Sequence, residues 1–119
     1  MKKKVMKQWT KLLRSGKFKQ GSGNLLHRGK HCCLGVLCEL ALVEGVCDFE
    51  YNQTYNSNRY DQQSGTLPLS VREWSGMKSD IGYLKTLGGE FPSLAALNDE
   101  GGRTFRQLAN IIEKNYKKL

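Results

Sequence analysis

Apolar residues return every three or four positions at the start of the chain, which is the spacing of one face of an α-helix. This face carries Val5, Trp9, Leu12 and Leu13. A second side of the same helix is basic and carries Lys4, Lys7, Lys11 and Arg14. The pattern predicts an amphipathic helix that ends at Gly16, with Trp9 in the core rather than in a binding site.

A fully buried helix is predicted further along the first half. Residues 17 to 33 are punctuated by glycines, which indicates short extended pieces with a turn at Gly29 and Lys30. Residues 34 to 43 are then apolar on nearly every side, as is typical of a helix at the centre of a domain. Gly35 would let another element approach this helix closely, and Gly45 is its expected end.

The second half begins with a predicted strand at Phe49 and Tyr51. An Asn/Gln-rich tract at residues 52–65 follows, which we expect to be a flexible loop or a long hairpin. A short helix should start after Pro68 with a capping box at Ser70 and Glu73 and end near Gly76. Residues 81–89 suggest a weak strand, and residues 93–102 a short helix or turn.

The last helix has the clearest signal. Thr104 and Gln107 have capping-box spacing, and an apolar face follows them: Phe105, Leu108, Ala109, Ile112 and Tyr116. Together these elements predict the α+β class: a single compact domain over residues 1–119, with three to four helices around a small antiparallel sheet.

Charge is distributed unevenly along the chain. Residues 1 to 38 hold ten lysines and arginines and no acidic residue, whereas the rest holds nine basic and eleven acidic residues. Such a basic segment favours an anionic partner: nucleic acid, a nucleotide or an acidic protein surface. The basic start lacks the apolar segment and cleavage site of a signal peptide, and the longest apolar run is interrupted by Glu39. We therefore expect no membrane partner.

Four cysteines raise the question of chemistry. Cys32, Cys33, Cys38 and Cys47 lack the paired spacing of a structural zinc site, so we expect no metal and no cofactor. A nucleophile activated by His31 and oriented by Asp99 is a second hypothesis, but sequence adjacency seldom gives the required geometry. Free cysteines also act as small buried hydrophobic residues, and we expect reduced thiols in the core here.

Several motifs in this order resemble a family of small phage and prophage proteins. They are WTKLLRSGKFKQGSGNL, HCCLGVLCELA, LPLSVREWSG and SLAALNDEGGRTFRQLANIIE, and they cover nearly the whole chain outside the Asn/Gln-rich tract. The family resemblance extends to phage anti-CBASS proteins that act as sponges. It implies a non-catalytic protein of the host bacterial cytoplasm that binds a cyclic di- or oligonucleotide without cleaving it, as a homo-oligomer.

Candidate ligand residues follow from the chemistry of such a nucleotide. Phosphates are bound by cations and by the N–H groups of glycine turns, for which the candidates are Arg14, Lys17, Lys19, Arg28 and His31. Bases are bound by amides, carboxylates and aromatic rings, for which the candidates are Gln20, Asn98, Asp99 and Trp74. Asn98 and Asp99 could equally form an ordinary turn.

Two other functions stay open. The basic third could serve a nucleic-acid-binding or host-protein-inhibiting phage protein, and weak nonspecific nucleic-acid binding is expected at this charge. No helix-turn-helix, RNP or zinc-finger signature supports sequence-specific binding. The other alternative is a small Cys/His enzyme that acts on a nucleotide signal. We expect a binding protein and not an enzyme.

Overall fold

A computed structural model describes residues 1–85 and 90–119 of the chain. Within these residues it contains five helices and four short strands. In chain order they are α1 (Lys3–Arg14), β1 (Leu26–His27), β2 (Lys30–His31), α2 (Cys33–Val43), β3 (Phe49–Asn52), β4 (Ser57–Tyr60), α3 (Leu69–Ser75), α4 (Leu94–Asp99) and α5 (Phe105–Asn115). The radius of gyration, 13.0 Å, is that of one compact domain of about this length.

Helix α2 lies at the centre, as its apolar sequence predicts. The Trp9 side chain is fully buried against it, and the indole Nε1–H donates to the Cys33 carbonyl at 2.9 Å. A Cβ atom at Gly35 would lie 1.8 Å from the carbonyl oxygen of Leu25. Glycine at this position therefore lets the chain before β1 lie directly on the helix, which confirms the predicted close approach.

Helices α1 and α5 pack against each other beside α2. The capping box of α5 is present, with the Thr104 hydroxyl accepting from the Gln107 N–H and the Gln107 side chain accepting from the Thr104 N–H. At the end of α1, Arg14 Nη2 donates to Asn110 Oδ1 at 2.9 Å and to Glu113 Oε2 at 2.5 Å. Before its start, the Met1 ammonium donates to the Tyr116 carbonyl at 2.7 Å, so polar contacts join α1 to the α5 region near both of its ends.

Strands β1 and β2 form a tight antiparallel hairpin, with His27 opposite Lys30. The two turn residues are Arg28 and Gly29, whose φ angles are +51° and +76°. Two positive φ angles are typical of the two-residue type I′ turn, which matches the twist of the strands. The predicted turn at Gly29 and Lys30 was wrong by one residue, because Arg28 adopts a conformation that residues other than glycine seldom take.

Strands β3 and β4 form a second antiparallel hairpin. Residues 57–60 of the polar tract 52–65 are strand β4, so the structure contains the hairpin alternative rather than a loop over the whole tract. The Leu26 carbonyl of the first hairpin accepts from the Asn58 side-chain Nδ2 at 3.4 Å, not from a backbone N–H of β4. The two hairpins therefore remain separate two-stranded sheets.

The predicted capping box of α3 was wrong. The helix starts at Leu69 with Pro68 as N-cap, so Ser70 already lies in the first turn. The Ser70 hydroxyl instead donates to Asp61 Oδ2. The end of α3 was predicted correctly, since Gly76 terminates it in a left-handed conformation with φ +76°.

The predicted strand at residues 81–89 lies partly outside the described residues. Between 81 and 85, Tyr83 forms a single antiparallel bridge to Ser93. Ser93 also caps α4, because its hydroxyl oxygen accepts from the Ala96 N–H at 3.1 Å. The short helix predicted here is confirmed, and its last two residues are Asn98 and Asp99.

The α+β class is confirmed, with one helix and one small sheet more than the sequence predicted. The extra sheet arises because two short hairpins form where one sheet was expected. Among the helices of residues 1–85 and 90–119, none has the length and apolar character needed to cross a membrane.

Candidate functional site

The segment around Gln20 is fixed to the far end of the chain by its side-chain amide. Gln20 Nε2 donates to Asn98 Oδ1 at 2.9 Å and to the Arg103 carbonyl at 2.7 Å. Gln20 Oε1 accepts from the N–H of Phe105, the first residue of α5, at 3.0 Å. One amide therefore satisfies a helix N-terminus and joins the ends of α4 and α5 to the segment that follows α1.

Asn98 continues this network toward the central helix. Its Oδ1 also accepts from the Cys33 N–H at the start of α2, at 3.2 Å. Its Nδ2 donates to the Gly21 carbonyl at 2.8 Å and to Asp99 Oδ1 at 2.9 Å. The residue is only 6% exposed. Both polar atoms of the buried amide are thus occupied by protein groups, and Asn98 acts as a support rather than as an open ligand contact.

A cleft lies between this supported segment and the first hairpin. The Gly21 N–H donates to the His31 carbonyl at 2.8 Å, and the His31 N–H donates to the Lys19 carbonyl at 2.9 Å, so residues 19–21 run parallel to β2. A Cβ atom at Gly21 would lie 2.7 Å from Lys30 Cβ. The cleft has a volume of about 430 Å³ and is lined by Gln20, Gly21, Ser22, His27, Arg28 and Lys30.

The cleft is basic. Arg28 and Lys30 are exposed at its wall, and none of the six lining residues is acidic. Exposed Lys19 directly precedes the segment that forms the other wall. The left-handed backbone of Arg28 is strained for a residue with a long side chain, and strain of this kind is frequent at functional sites. The arrangement can bind an anion with two cations, a Ser22 hydroxyl and a glycine turn.

A partly buried polar cluster lies beneath the hairpin. Glu39 Oε1 accepts from His31 Nε2 at 2.8 Å and from the Tyr60 hydroxyl at 2.8 Å. The His31 hydrogen bond is the main reason why the pKa of the Glu39 carboxyl is lowered. Burial, together with the Glu39 hydrogen bond, raises the pKa of Tyr60 far above its ordinary value. The cluster is therefore an ionised carboxylate held between two hydrogen-bond donors.

His31 takes a structural position in this cluster. Its ring is nearly buried, and Phe18 contacts it edge-to-face with ring centroids 5.0 Å apart. Since a carboxylate can only accept, Nε2 carries the proton that faces Glu39. His31 Nδ1 is buried without a hydrogen-bond partner among the described residues. The imidazole is thus oriented by Glu39, and not by Asp99 as the enzyme hypothesis required.

The cysteines belong to the core. All four are buried free thiols. Burial raises the pKa of Cys32 and of Cys47 to about 11, and it raises the pKa of Cys33 and of Cys38 well above the ordinary value. Such thiols stay protonated at neutral pH, which opposes nucleophilic attack. Within the described part of the chain, no three His, Cys, Asp or Glu side chains gather as a metal site.

The structure divides the nine predicted ligand residues among several places. Gln20 and Arg28 line the cleft, Lys19 adjoins it, and His31, Asn98 and Asp99 belong to the networks that support it. The remaining three line other hollows. Arg14 borders a groove on α1, Lys17 a hollow with Leu12 and Leu40, and Trp74 a hollow of about 170 Å³ with Val5 and Glu44.

Some residues of the site were missed by the sequence prediction. His27 lines the cleft, although it was not among the nucleotide-ligand candidates taken from the sequence. Glu39 gave a usable signal, because a single carboxylate within an otherwise apolar helix requires a polar partner. No comparable signal in the sequence connects that carboxylate with Tyr60.

Comparison with known proteins gives the family of the chain but no function. No curated protein and no solved structure matches it. The family model described as "Domain of unknown function (DUF8296)" matches residues 1–116. The match covers nearly the whole domain, including both hairpins, the amide network and the cleft, and the chain belongs to this family.

Proposed function

We propose that this protein is a phage anti-defence protein that binds and sequesters a cyclic di- or oligonucleotide immune signal in the host bacterial cytoplasm, without cleaving it. The observation that carries the proposal is the cleft between residues 20–22 and the first hairpin. It presents Arg28 from a tight turn and Lys30 from the adjoining strand β2, and it has no acidic residue in its lining. The second support is the resemblance of the sequence motifs to those of phage sponge proteins.

The chemistry of the cleft suits a phosphodiester. Arginine binds phosphate oxygens through two parallel N–H groups, and lysine adds a point charge. Ser22 can donate a hydroxyl to a phosphate or ribose oxygen, since hydroxyl groups rotate to suit a partner. The amide network behind the cleft fixes the Gly21 carbonyl, and the pairing with β2 fixes the Gly21 N–H. A ligand would therefore meet a preorganised wall, which reduces the entropy lost on binding.

Binding without cleavage agrees with the burial of the cysteine thiols and of the His31 ring. The thiols are buried and protonated, and His31 is held by Glu39 below the cleft. Cleavage of a phosphodiester needs an attacking group and a proton acceptor at the ligand. The thiols and the His31 ring do not line the cleft, which opposes the Cys/His pair of the enzyme alternative; the imidazole and hydroxyl in the lining are those of His27 and Ser22.

The proposal includes a homo-oligomer, which a symmetric ligand would favour. The cleft of about 430 Å³ lies toward the small end of ligand pockets, which span roughly 300–1,000 Å³. A cyclic dinucleotide with two identical bases, such as cyclic di-AMP, has two equivalent halves, and a two-fold dimer presents two equivalent clefts. We propose that each copy holds one phosphate-ribose half, so that the ligand is enclosed by two copies.

The proposal is tested by depletion and recovery of the ligand. Purified protein is incubated with cyclic di-AMP, cyclic di-GMP, cyclic GMP-AMP, cyclic tri-AMP and cyclic ADP-ribose isomers, and the free ligands are measured before and after heat denaturation. We expect stoichiometric depletion of one class and its return unchanged. The Lys30→Gln variant should deplete less ligand, whereas Lys118→Gln, which removes an equal charge at an exposed site, should match the wild type.

Two results would contradict the proposal. An altered product after heating would show an enzyme, and no depletion of any cyclic nucleotide would remove the sponge function altogether. Equal depletion by Lys30→Gln and wild type would move the binding site away from the cleft.

A further inference from the structure

A second basic surface lies on α1, away from the residues that line the cleft. Exposed cations occupy one side of this helix, at Lys3, Lys7, Lys11 and Arg14. They border a groove of about 690 Å³ that α1 forms with Glu113 and Tyr116 of the α5 region. Successive lysines are four residues apart and so lie about one helical turn, roughly 6 Å, from each other along the axis.

The cations form a line rather than a cluster. From Lys3 to Arg14 the helix rises about 16 Å, at roughly 1.5 Å per residue. A small anion is bound by groups that converge on a point, whereas a line of separated cations suits a linear polyanion. One strand of duplex nucleic acid presents a phosphate about every 3.4 Å along the axis, so this length spans several phosphates.

Within residues 1–85 and 90–119, three of the four cations form no ion pair. Arg14 is paired with Glu113, but among the described residues no carboxylate forms an ion pair with Lys3, Lys7 or Lys11. The arrangement also opposes helix stability, because like charges at i and i+4 repel and cations are unfavourable near a helix N-terminus. The first turn contains no acidic residue to compensate. A helix that keeps such charges fits an external anionic partner.

The residues of α1 and its groove favour a nucleic-acid backbone over a membrane surface or an acidic protein as the partner. The apolar residues of α1 face the core, with Val5, Met6, Trp9 and Leu13 buried, so the helix has no apolar face with which to enter a membrane surface. The groove lining contains one aromatic residue, Tyr116, among mostly charged and polar residues, whereas several aromatic and apolar anchors dominate protein–protein interfaces. Phosphate backbones need only the charges, since backbone contacts carry no sequence information.

We propose that the α1 groove binds the phosphate backbone of nucleic acid, independently of base sequence, as a second binding function separate from the cleft. Lys3, Lys7 and Lys11 each contact a phosphate, and Arg14 stays on Glu113. Each phosphate that is neutralised releases counterions, with a slope of about −0.9 in log K against log salt for duplex DNA. The three lysines therefore account for a slope of about −2.7.

The test uses two charge-matched triple variants of the full chain. The groove variant is Lys3→Gln/Lys7→Gln/Lys11→Gln, and the cleft variant is Lys19→Gln/Arg28→Asn/Lys30→Gln. Binding of a labelled 20-base-pair DNA duplex is measured from 50 to 200 mM NaCl, in parallel with an RNA duplex and a single strand. We expect the groove variant to lose about 2.7 from the slope, and the cleft variant to keep the wild-type slope.

Thermal unfolding checks that the groove variant is folded. Its melting temperature should equal or exceed that of the wild type, because three repelling charges are removed.

Equal loss of slope in both variants would overturn the proposal, since it would mean that only net charge matters. The absence of duplex binding by wild type at 50 mM NaCl would overturn it too. Equally tight, groove-dependent binding of polyglutamate would assign the groove to acidic proteins instead. Cyclic-nucleotide depletion by the groove variant tests the cleft separately.

Discussion

The side-chain amides of Gln20 and Asn98 are hydrogen-bonded at 2.9 Å, although 78 positions separate them in the chain. Through these two side chains the starts of α2 and α5 and the wall of the cleft share one network. Most of these hydrogen bonds are partly buried and the one to the Cys33 N–H is buried, so the loss of a partner would cost stability. Stability of the domain and shape of the cleft are therefore linked.

Replacement of Asn98 by alanine tests this link. The change leaves the Cys33 N–H, the Gly21 carbonyl and one Gln20 donor without partners, so we expect the free energy of unfolding to fall by about 3 kcal/mol. Denaturant titration followed by tryptophan fluorescence measures the loss. The control Asn110→Ala removes an exposed amide that contacts Arg14 and should cost less than about 1 kcal/mol. Equal losses in the two variants would contradict the assigned role.

The close contact between Gly35 and Leu25 leads to a second prediction, about the stability of a Gly35→Ala variant. A methyl group at Gly35 would meet the Leu25 carbonyl oxygen, so α2 and the chain before β1 must separate. We expect Gly35→Ala to destabilise the protein by about 3 kcal/mol or more, measured by thermal unfolding. Gly65→Ala is the matched control, because a Cβ atom there has no neighbour within 4 Å, and it should change stability by less than about 0.5 kcal/mol. A Gly35→Ala variant as stable as Gly65→Ala would show that the helix is not packed this closely.

The lowered pKa of the Glu39 carboxyl leads us to predict that the stability of the protein depends on pH. Its folded-state pKa is lowered by the His31 hydrogen bond, so its contribution is present above the unfolded pKa near 4.5 and is lost as the pH falls through the folded pKa. We expect Glu39→Gln to lower the free energy of unfolding by about 2 kcal/mol at pH 7. The difference from wild type should shrink below pH 4.5, as measured by melting temperatures between pH 3 and 7.

The control for Glu39 lies at the end of the same helix. Glu44 is exposed, and Glu44→Gln should change stability by no more than about 0.5 kcal/mol at any of these pH values. If the loss caused by Glu39→Gln were constant from pH 3 to pH 7, the carboxylate would not be the ionised acceptor of the cluster.

Features whose signal lies within one short stretch of sequence were predicted well. The capping box at Thr104 and Gln107 spans four residues, and the stripe of α1 and the apolar run of α2 each lie within one helix. Helix geometry alone converts such spacings into a face or a cap. The close approach at Gly35 was predicted because a glycine inside a buried helix weakens the helix and usually serves packing against another segment.

The networks of the site depend on contacts that no local pattern contains. The Gln20 amide could bind any of many partners, and its choice of Asn98 follows only once α4 lies beside α2. The Glu39 carboxylate is shared by His31 and Tyr60, which come from two different hairpins. Turn chemistry also misled the prediction at Arg28, because a long charged residue was not expected at a positive φ.

The strained turn at Arg28 permits the most direct test of the cleft as a nucleotide site. Asparagine tolerates positive φ and is favoured before glycine in a type I′ turn, so Arg28→Asn removes the guanidinium without harm to the hairpin. The measurement is calorimetric titration of wild type and Arg28→Asn with the cyclic nucleotide that the wild type depletes, beside a melting curve and the control Lys118→Asn. We predict a Kd at least about tenfold weaker for Arg28→Asn, with an equal or higher melting temperature, and wild-type affinity for Lys118→Asn. Equal Kd values for wild type and Arg28→Asn would contradict the central claim.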